Sequence, residues 1–315
     1  MYKVLVIGCG NIGAQYDIDN DDVQTHVKAW YLNSRTEVSI YDINSGLAKQ
    51  VAEKYQCKIV TDTTPETLAA FDIISICTPT FTHYQLLRDA IDAKVKTIIC
   101  EKPISNDNVE MAKLKDAYGV GQSKILVNYI RRFQPDFLEL KEYINTNLNN
   151  EQLTNIAIRY QRGFVNNCSH AMDLLEFLMD SEITLNEVKI HNMEFDQFEN
   201  DPTLSFQAFW NKTNISVLGL SRVQFSHFEV DLYFEKYKIS IINAGNTIDV
   251  YKAADQSGFL QPLILQENLS KKKCLKNYMN SVILESLKLT DNRSLEDNFL
   301  TSINLNLKML NYKNK

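Results

Sequence analysis

Residues 3–13 read KVLVIGCGNIG, and their reading decides the fold. Val4, Leu5, Val6 and Ile7 form an unbroken apolar run, the pattern of a strand buried on both faces. Gly8, Gly10 and Gly13 come next at G-x-G-x-x-G spacing, so the strand enters a glycine turn. Gly8 permits the tight turn, Gly10 lets the backbone approach a pyrophosphate, and Gly13 lets the next segment pack close to the strand; Asn11 and Ile12 lie on the same turn. The motif alone is weak and gains weight from the strand in front of it and from the residues downstream.

Beyond Gly13, residues 17–22 read DIDNDD, too acidic and turn-rich to continue a helix, which resumes near Thr25 through Ala29, Trp30 and Leu32. The stretch alternates like the start of a calcium loop, but Asp22 stands where such a loop needs glycine and Lys28 where it needs glutamate. It reads as a solvated surface loop, or as an insertion over a ligand. The second strand, residues 37–41, ends in Asp42, 29 residues past Gly13. The usual spacing to a ribose-binding carboxylate is roughly twenty, and the inserted loop accounts for the excess. A carboxylate there holds ribose hydroxyls and repels a 2′-phosphate, and no arginine stands in Ile43-Asn44-Ser45, so NAD is favoured over NADP. A plain turn aspartate is the alternative.

Further along, strand-like and helix-like runs alternate: a helix over 47–55, a strand over 58–60, a helix over 65–70, and a buried strand over 72–77 that stops at Thr78-Pro79. His83 precedes a helix over 84–93, a strand over 97–100 runs into Glu101-Lys102-Pro103, and residues 124–130 supply a last strand. This alternation predicts an α/β fold with a doubly wound parallel sheet whose ligands lie at the strands' carboxyl ends.

The chain has 315 residues, 44% hydrophobic and 23% charged, enough for two domains. Its 33 lysines and arginines are outnumbered by 39 acidic residues, so there is no net basic field for nucleic acid. No run is long and apolar enough for a membrane span, and no charged-then-apolar leader precedes the first strand. The six cysteines lack C-x-x-C spacing and read as reduced thiols, which together predict a cytoplasmic protein. Cys168 reads as a small packing residue, with a reactive thiol as the alternative. His26, His191 and His227 have no partners at metal-ligand spacing, so no metal is assigned.

The glycine turn, Asp42, the segment from Thr78-Pro79 to His83 and above all Glu101-Lys102-Pro103 together resemble the Gfo/Idh/MocA family of nicotinamide-dependent oxidoreductases. The resemblance implies an N-terminal Rossmann domain, placed at residues 1–124. It also implies a C-terminal α/β domain with a large open, mainly antiparallel sheet, placed at 125–315, which carries much of the substrate site and an oligomer interface. Arg131-Arg132-Phe133-Gln134-Pro135 resembles the crossing between them. A helix over 136–145, a strand over 155–161, a helix over 171–179, strand-like runs between 188 and 250, and closing helices near 275–289 and 295–310 agree. A homo-oligomer, dimer or tetramer, is expected, with a sugar-like small molecule as substrate and neither nucleic acid nor membrane as partner.

Moving a hydride from a carbinol carbon to nicotinamide requires a base for the hydroxyl proton and a donor to hold the oxygen. Lys102, at a strand's carboxyl end, is the expected donor, and Glu101, Thr78, Pro79 and His83 are expected beside the cofactor with it. His170 resembles the family's catalytic histidine, and a place in the first turn of a helix disfavours its imidazolium and leaves a ring able to take a proton. Asp173 stands three residues on, to orient His170 or substrate, with a solvated or structural aspartate as the alternative. Asn166 occupies a position where many family members have aspartate, and an amide cannot take the proton. Either Lys102 and His170 suffice, or the protein binds a dinucleotide as a sensor without turnover, as on the same architecture in a fungal galactose-pathway repressor. Arg131, Arg132 and Arg162 are read as able to grip a carboxylate or diphosphate, or as interdomain salt-bridge partners.

Overall fold

The computed structural model describes residues 1–254 and 261–313. Six strands, β1 (Tyr2–Ile7), β2 (Thr36–Tyr41), β3 (Lys58–Ile59), β4 (Ile73–Ile76), β5 (Thr97–Cys100) and β6 (Lys124–Val127), form one sheet in the order β3-β2-β1-β4-β5-β6. Every pairing in it is parallel. The helices α1 (His26–Leu32), α2 (Ser45–Tyr55), α3 (Pro65–Leu68), α4 (His83–Asp92) and α5 (Asn108–Val120) alternate with the strands. The order reverses between β1 and β4, which puts the ligand crevice of a doubly wound sheet at their carboxyl ends. Buried Val4, Val6, Ile40, Ile73, Val27 and Trp30 share one core.

The acidic loop differs from a solvated surface loop at one residue. Asp17 is fully buried and accepts bonds from the N–H groups of Gln24 (2.5 Å) and Thr25 (2.9 Å) and from the Thr25 hydroxyl (2.7 Å). A carboxylate tolerates burial when donors satisfy it, and this one organises the turn before α1.

The second sheet comes after α6 (Pro135–Asn147). It comprises β7 (Leu153–Tyr160), then, after α7 (Ser169–Met179), β8 (Asn186–Glu194), β9 (Thr203–Trp210), β10 (Thr213–Gly219), β11 (Phe228–Phe234), β12 (Tyr237–Ile242), β13 (Thr247–Ala253), β14 (Leu263–Leu265) and β15 (Lys271–Lys272). The order is β14-β13-β12-β11-β7-β10-β9-β8, with β15 on β13. The β7–β10 pair is parallel and the other described pairs are antiparallel. Ile156, Ile158, Val230, Leu232, Ile239 and Ile241 bury one face. The alternate positions carry Arg159, Glu229, Asp231 and Lys238 in a charge network. This is the period-two alternation of strands with one buried face.

The division into units corrects the expected boundary. One unit is Met1–Phe133 with Asn277–Leu307; the other is Gln134–Lys276 with the residues from Lys308 onward. The segment containing α8 (Tyr278–Asp291) and the start of α9 (Phe299–Lys313) thus belongs to the first unit and not to the second. Hydrogen bonding to the edge strand β6 is the reason. Asp297 accepts the Ile125 N–H and the Tyr118 hydroxyl, each at 2.9 Å, and Asn298 both accepts from the Val127 N–H and donates to the Val127 carbonyl at 2.9 Å. Backbone groups that a sheet edge leaves open are thereby paired, and Met279, Val282, Ile283 and Leu287 of α8 complete the first unit's core.

Candidate active site

In the first unit the site begins where β1 ends. Gly8 has φ +98°, and its N–H donates to the Tyr41 carbonyl at 2.8 Å. A Cβ on Gly13 would stand 2.0 Å from the Gly8 carbonyl oxygen, so any side chain there blocks the close approach of the turn. A Cβ on Gly10 would meet nothing within 4 Å. The turn is therefore closed at its base and open above Gly10, the space a pyrophosphate needs against bare backbone. Asn11 and Ile12 open the short helical turn Asn11–Gln15. Asp42 accepts the Cys9 N–H at 2.7 Å on one oxygen and the Asn44 N–H at 2.8 Å on the other. Asp42 is thus a turn aspartate whose two bonds leave further lone pairs on the carboxylate.

Thr78 and Pro79 lie just past β4. His83 is only 1% exposed; its Nδ1 lies 2.9 Å from the Pro103 carbonyl and its Nε2 2.8 Å from that of Thr78. Its expected place beside the cofactor becomes a place beneath the loops, tying the segment after β4 to that after β5. Burial lowers its pKa despite those carbonyls, and a neutral ring donates to one of them at a time.

Past β5 stand Glu101, Lys102 and Pro103, and the Lys102–Pro103 peptide is cis. Glu101 Oε1 accepts from His26 Nε2 at 3.0 Å and from Asn128 Nδ2 at 2.6 Å. The carboxylate only accepts, so Nε2 carries the proton. Burial pushes the Glu101 carboxyl up, but His26, Asn128 and the nearby Lys102 charge outweigh it and hold it below its ordinary value. Neither His26 nor Asn128 stands in a local motif with Glu101; only the sheet's strand order brings them to it.

In the second unit β7 ends at Tyr160, and Arg162 (exposed, φ +67°) and Gly163 (φ +82°) turn the chain. A helical turn, Phe164–Cys168, runs without a break into α7. Asp201 accepts the N–H groups of Val165 and Asn166, each at 2.8 Å, and a Cβ on Gly163 would stand 2.3 Å from its Oδ2. The helical run thus starts at Phe164, six residues before His170. Its positive end is met by Asp201 rather than by His170. The Asn166 side chain donates to the Arg162 carbonyl at 3.3 Å. His170 is half-buried, edge-on to Phe228 with ring centroids 6.4 Å apart. Asp173 is 1% exposed, which removes the reading of a solvated aspartate. Cys168 is fully buried and burial pushes its thiol well up, the behaviour of a packing residue.

The first unit therefore gathers Gly8 to Gly13, Asp42, Thr78, Pro79, Glu101 and Lys102 at its strands' carboxyl ends and also contains Arg132. The second carries Arg162, Asn166, His170 and Asp173 along one turn and helix. Sequence reasoning missed Asp201, which lies 35 residues from Asn166 and has no spacing signal. Among the described residues no group of three or more His, Cys, Asp or Glu is placed to hold a metal ion, and no helix is long and apolar enough to cross a membrane.

Residues 2–129 match the Gfo/Idh/MocA model, an oxidoreductase family with an NAD-binding Rossmann fold. Inositol 2-dehydrogenase of Rhizobium meliloti is 30% identical over 141 residues, 44% of this chain and 39% of that protein. The stretches matched cover about half or less of the first curated relatives, 54% and 39% of their lengths. The structure of UDP-N-acetylglucosamine 3-dehydrogenase GnnA from Acidithiobacillus ferrooxidans shares the fold with TM-score 0.75 at 16% identity, covering 99% of this chain and 96% of that one. A super-repressor mutant of Gal80p from Saccharomyces cerevisiae shares it with TM-score 0.74 at 13% identity, over 99% and 95%. The match to the Gfo/Idh/MocA oxidoreductase family spans residues 2–129, the stretch that forms the first sheet.

Proposed function

We propose that this protein is an NAD-dependent dehydrogenase acting on a secondary alcohol or ketone of a sugar, polyol or nucleotide-sugar derivative, and that it works as a homo-oligomer. The observation that carries the reading is the placement of Glu101-Lys102-Pro103 at the end of β5, at the same carboxyl end of the sheet as the open glycine turn. The nicotinamide, when bound, supplies the hydride acceptor or donor. Backbone of Gly8 to Gly13 holds the pyrophosphate, and Asp42 holds the adenosine ribose through its remaining lone pairs. Its charge, with no arginine in Ile43-Asn44-Ser45, favours NAD over NADP. The Lys102 ammonium donates to the reacting oxygen and His170 takes its proton, while Asn166 and Asp173 bind substrate hydroxyls. Arg132 and Arg162 meet a carboxylate or diphosphate.

Supplying NAD with polyols, sugars and nucleotide sugars and following reduced nicotinamide by absorbance tests this. Lys102→Ala is expected to lower turnover by at least about a hundredfold with cofactor affinity nearly intact. Equal loss of both, or full turnover in the variant, overturns the role. A second reading, a dinucleotide-bound sensor, draws on Asn166, whose amide cannot take a proton. Tight NAD binding with no turnover across the panel favours it.

A further inference from the structure

Glu101 is a half-buried carboxylate next to the lysine on which the proposed chemistry depends, and such a group persists only where donors compensate it. Its two donors come from distant segments: His26 opens α1 and is fully buried, and Asn128 stands just past β6 and is 1% exposed. Both converge on Oε1, and neither takes Oε2. The backbone is held as well, with the Glu101 N–H donating to the Ile76 carbonyl at 3.0 Å and the Asn128 N–H to the Cys100 carbonyl at 2.9 Å. On the far side of Lys102, the Pro103 carbonyl faces His83 Nδ1 at 2.9 Å. The residues on both sides of Lys102 are therefore tied to other elements, Glu101 through the Ile76 carbonyl and the side chains of His26 and Asn128, and Pro103 through the His83 ring.

We propose that His26, Glu101 and Asn128 form a positioning cluster for Lys102: two donors fix one carboxylate oxygen of Glu101 so that its charge is held in place beside the lysine, keeping that side chain in position and protonated. The proposal rests on the reading of Lys102 as the residue that holds the reacting oxygen. A neighbouring carboxylate favours the charged amine, and a donor to a substrate oxygen must keep its proton. The titratable groups facing Glu101 from the surrounding elements are Lys102, His26, His83, Tyr278, Cys77 and Cys100. Burial raises the thiols and the phenol and lowers His83, so none of those four offsets the carboxylate near pH 7. His26 and Asn128 are thus positioning residues and Lys102 is the catalytic one.

The test needs no known substrate. Acetylation of Lys102 by acetic anhydride, resolved by peptide mass spectrometry across pH, reports its protonation in the full-length protein. Glu101→Gln and His26→Leu are expected to move the labelling midpoint to lower pH, and His26→Gln, which keeps an N–H donor, to restore it. Where a substrate is in hand, kcat of the first two falls about 10- to 100-fold with the KM for NAD unchanged. A wild-type midpoint in folded Glu101→Gln and His26→Leu overturns the cluster; if His26→Leu does not fold, the isosteric Glu101→Gln decides alone. Failure of the underlying reading looks different: Lys102→Ala then turns over normally, while the labelling result still reports on the cluster.

Discussion

The glycine turn of the first unit and the turn ahead of His170 in the second solve one problem in two ways. Each must close a turn at the end of a strand. The first does so with its own sequence: Gly13 packs against the Gly8 carbonyl within six residues. The second borrows a carboxylate, Asp201, from the far end of the β8–β9 connection. Electrostatics separates them further. Glu101 is held below its ordinary pKa because His26, Asn128 and Lys102 outweigh burial, whereas burial outweighs the backbone donors of Asp201 and the charge of Lys313 and raises it. Side-chain donors and the neighbouring lysine compensate Glu101, whereas backbone amides and the charge of Lys313 leave Asp201 under-compensated.

The largest expected effect tests the locally closed turn. Gly13→Ala has nowhere to put its methyl group, since the obstructing atom is backbone. A loss of about 3 kcal/mol or more, with NAD binding abolished, is expected in thermal melts and calorimetric titration. Near-wild-type values of both would show that this turn yields as a side chain would. Asp201→Asn addresses the borrowed anchor. With one carbonyl oxygen in place of two, it keeps a single N–H bond, and a cost of about 1–2 kcal/mol is expected. The chain's two tryptophans fall one in each unit, Trp30 and Trp210, so urea unfolding in a Trp30→Phe background reads the second unit through Trp210. A loss confined to that signal sharpens the contrast; a loss shared with the first unit breaks it.

The smallest effect is a slope. Glu101's native pKa is lowered, so its contribution is complete above the ordinary glutamate value, about 4.3, and is lost as pH falls through the lower native value. Asp201's native pKa is raised, so its contribution is complete below the ordinary aspartate value, about 3.9, and is lost as pH rises through the higher native value. The stability difference between wild type and Glu101→Gln should therefore grow with rising pH, while that between wild type and Asp201→Asn shrinks. Slopes of the same sign would mean that the two carboxylates are not compensated differently.

The doubly wound sheet was legible because parallel strands buried on both faces read as continuous apolar runs, and the glycine turn and Glu101-Lys102-Pro103 sit directly on their ends. The helix resuming at Thr25 was legible from its apolar spacing. The placement of 277–307 was not. Asp297 and Asn298 look like any polar pair before a helix until they meet the edge of β6 more than 160 residues away. Asp17 reads as one more acid in an acidic loop, and only its donors make it the anchor. His83 likewise reads as a residue facing a ligand, and the carbonyls of Thr78 and Pro103 turn it inward.

By itself, then, the sequence determined the features that short-range rules govern: strand and helix periodicity, the glycine turn, the carboxylate after β2, and the lysine at the end of β5. Only the tertiary structure decided which buried charges have partners: His26 and Asn128 on Glu101, and Asp201 under the turn before His170. Periodicity is a property of neighbours along the chain, whereas the cost of burying a charge depends on groups that come near only after the sheets have formed.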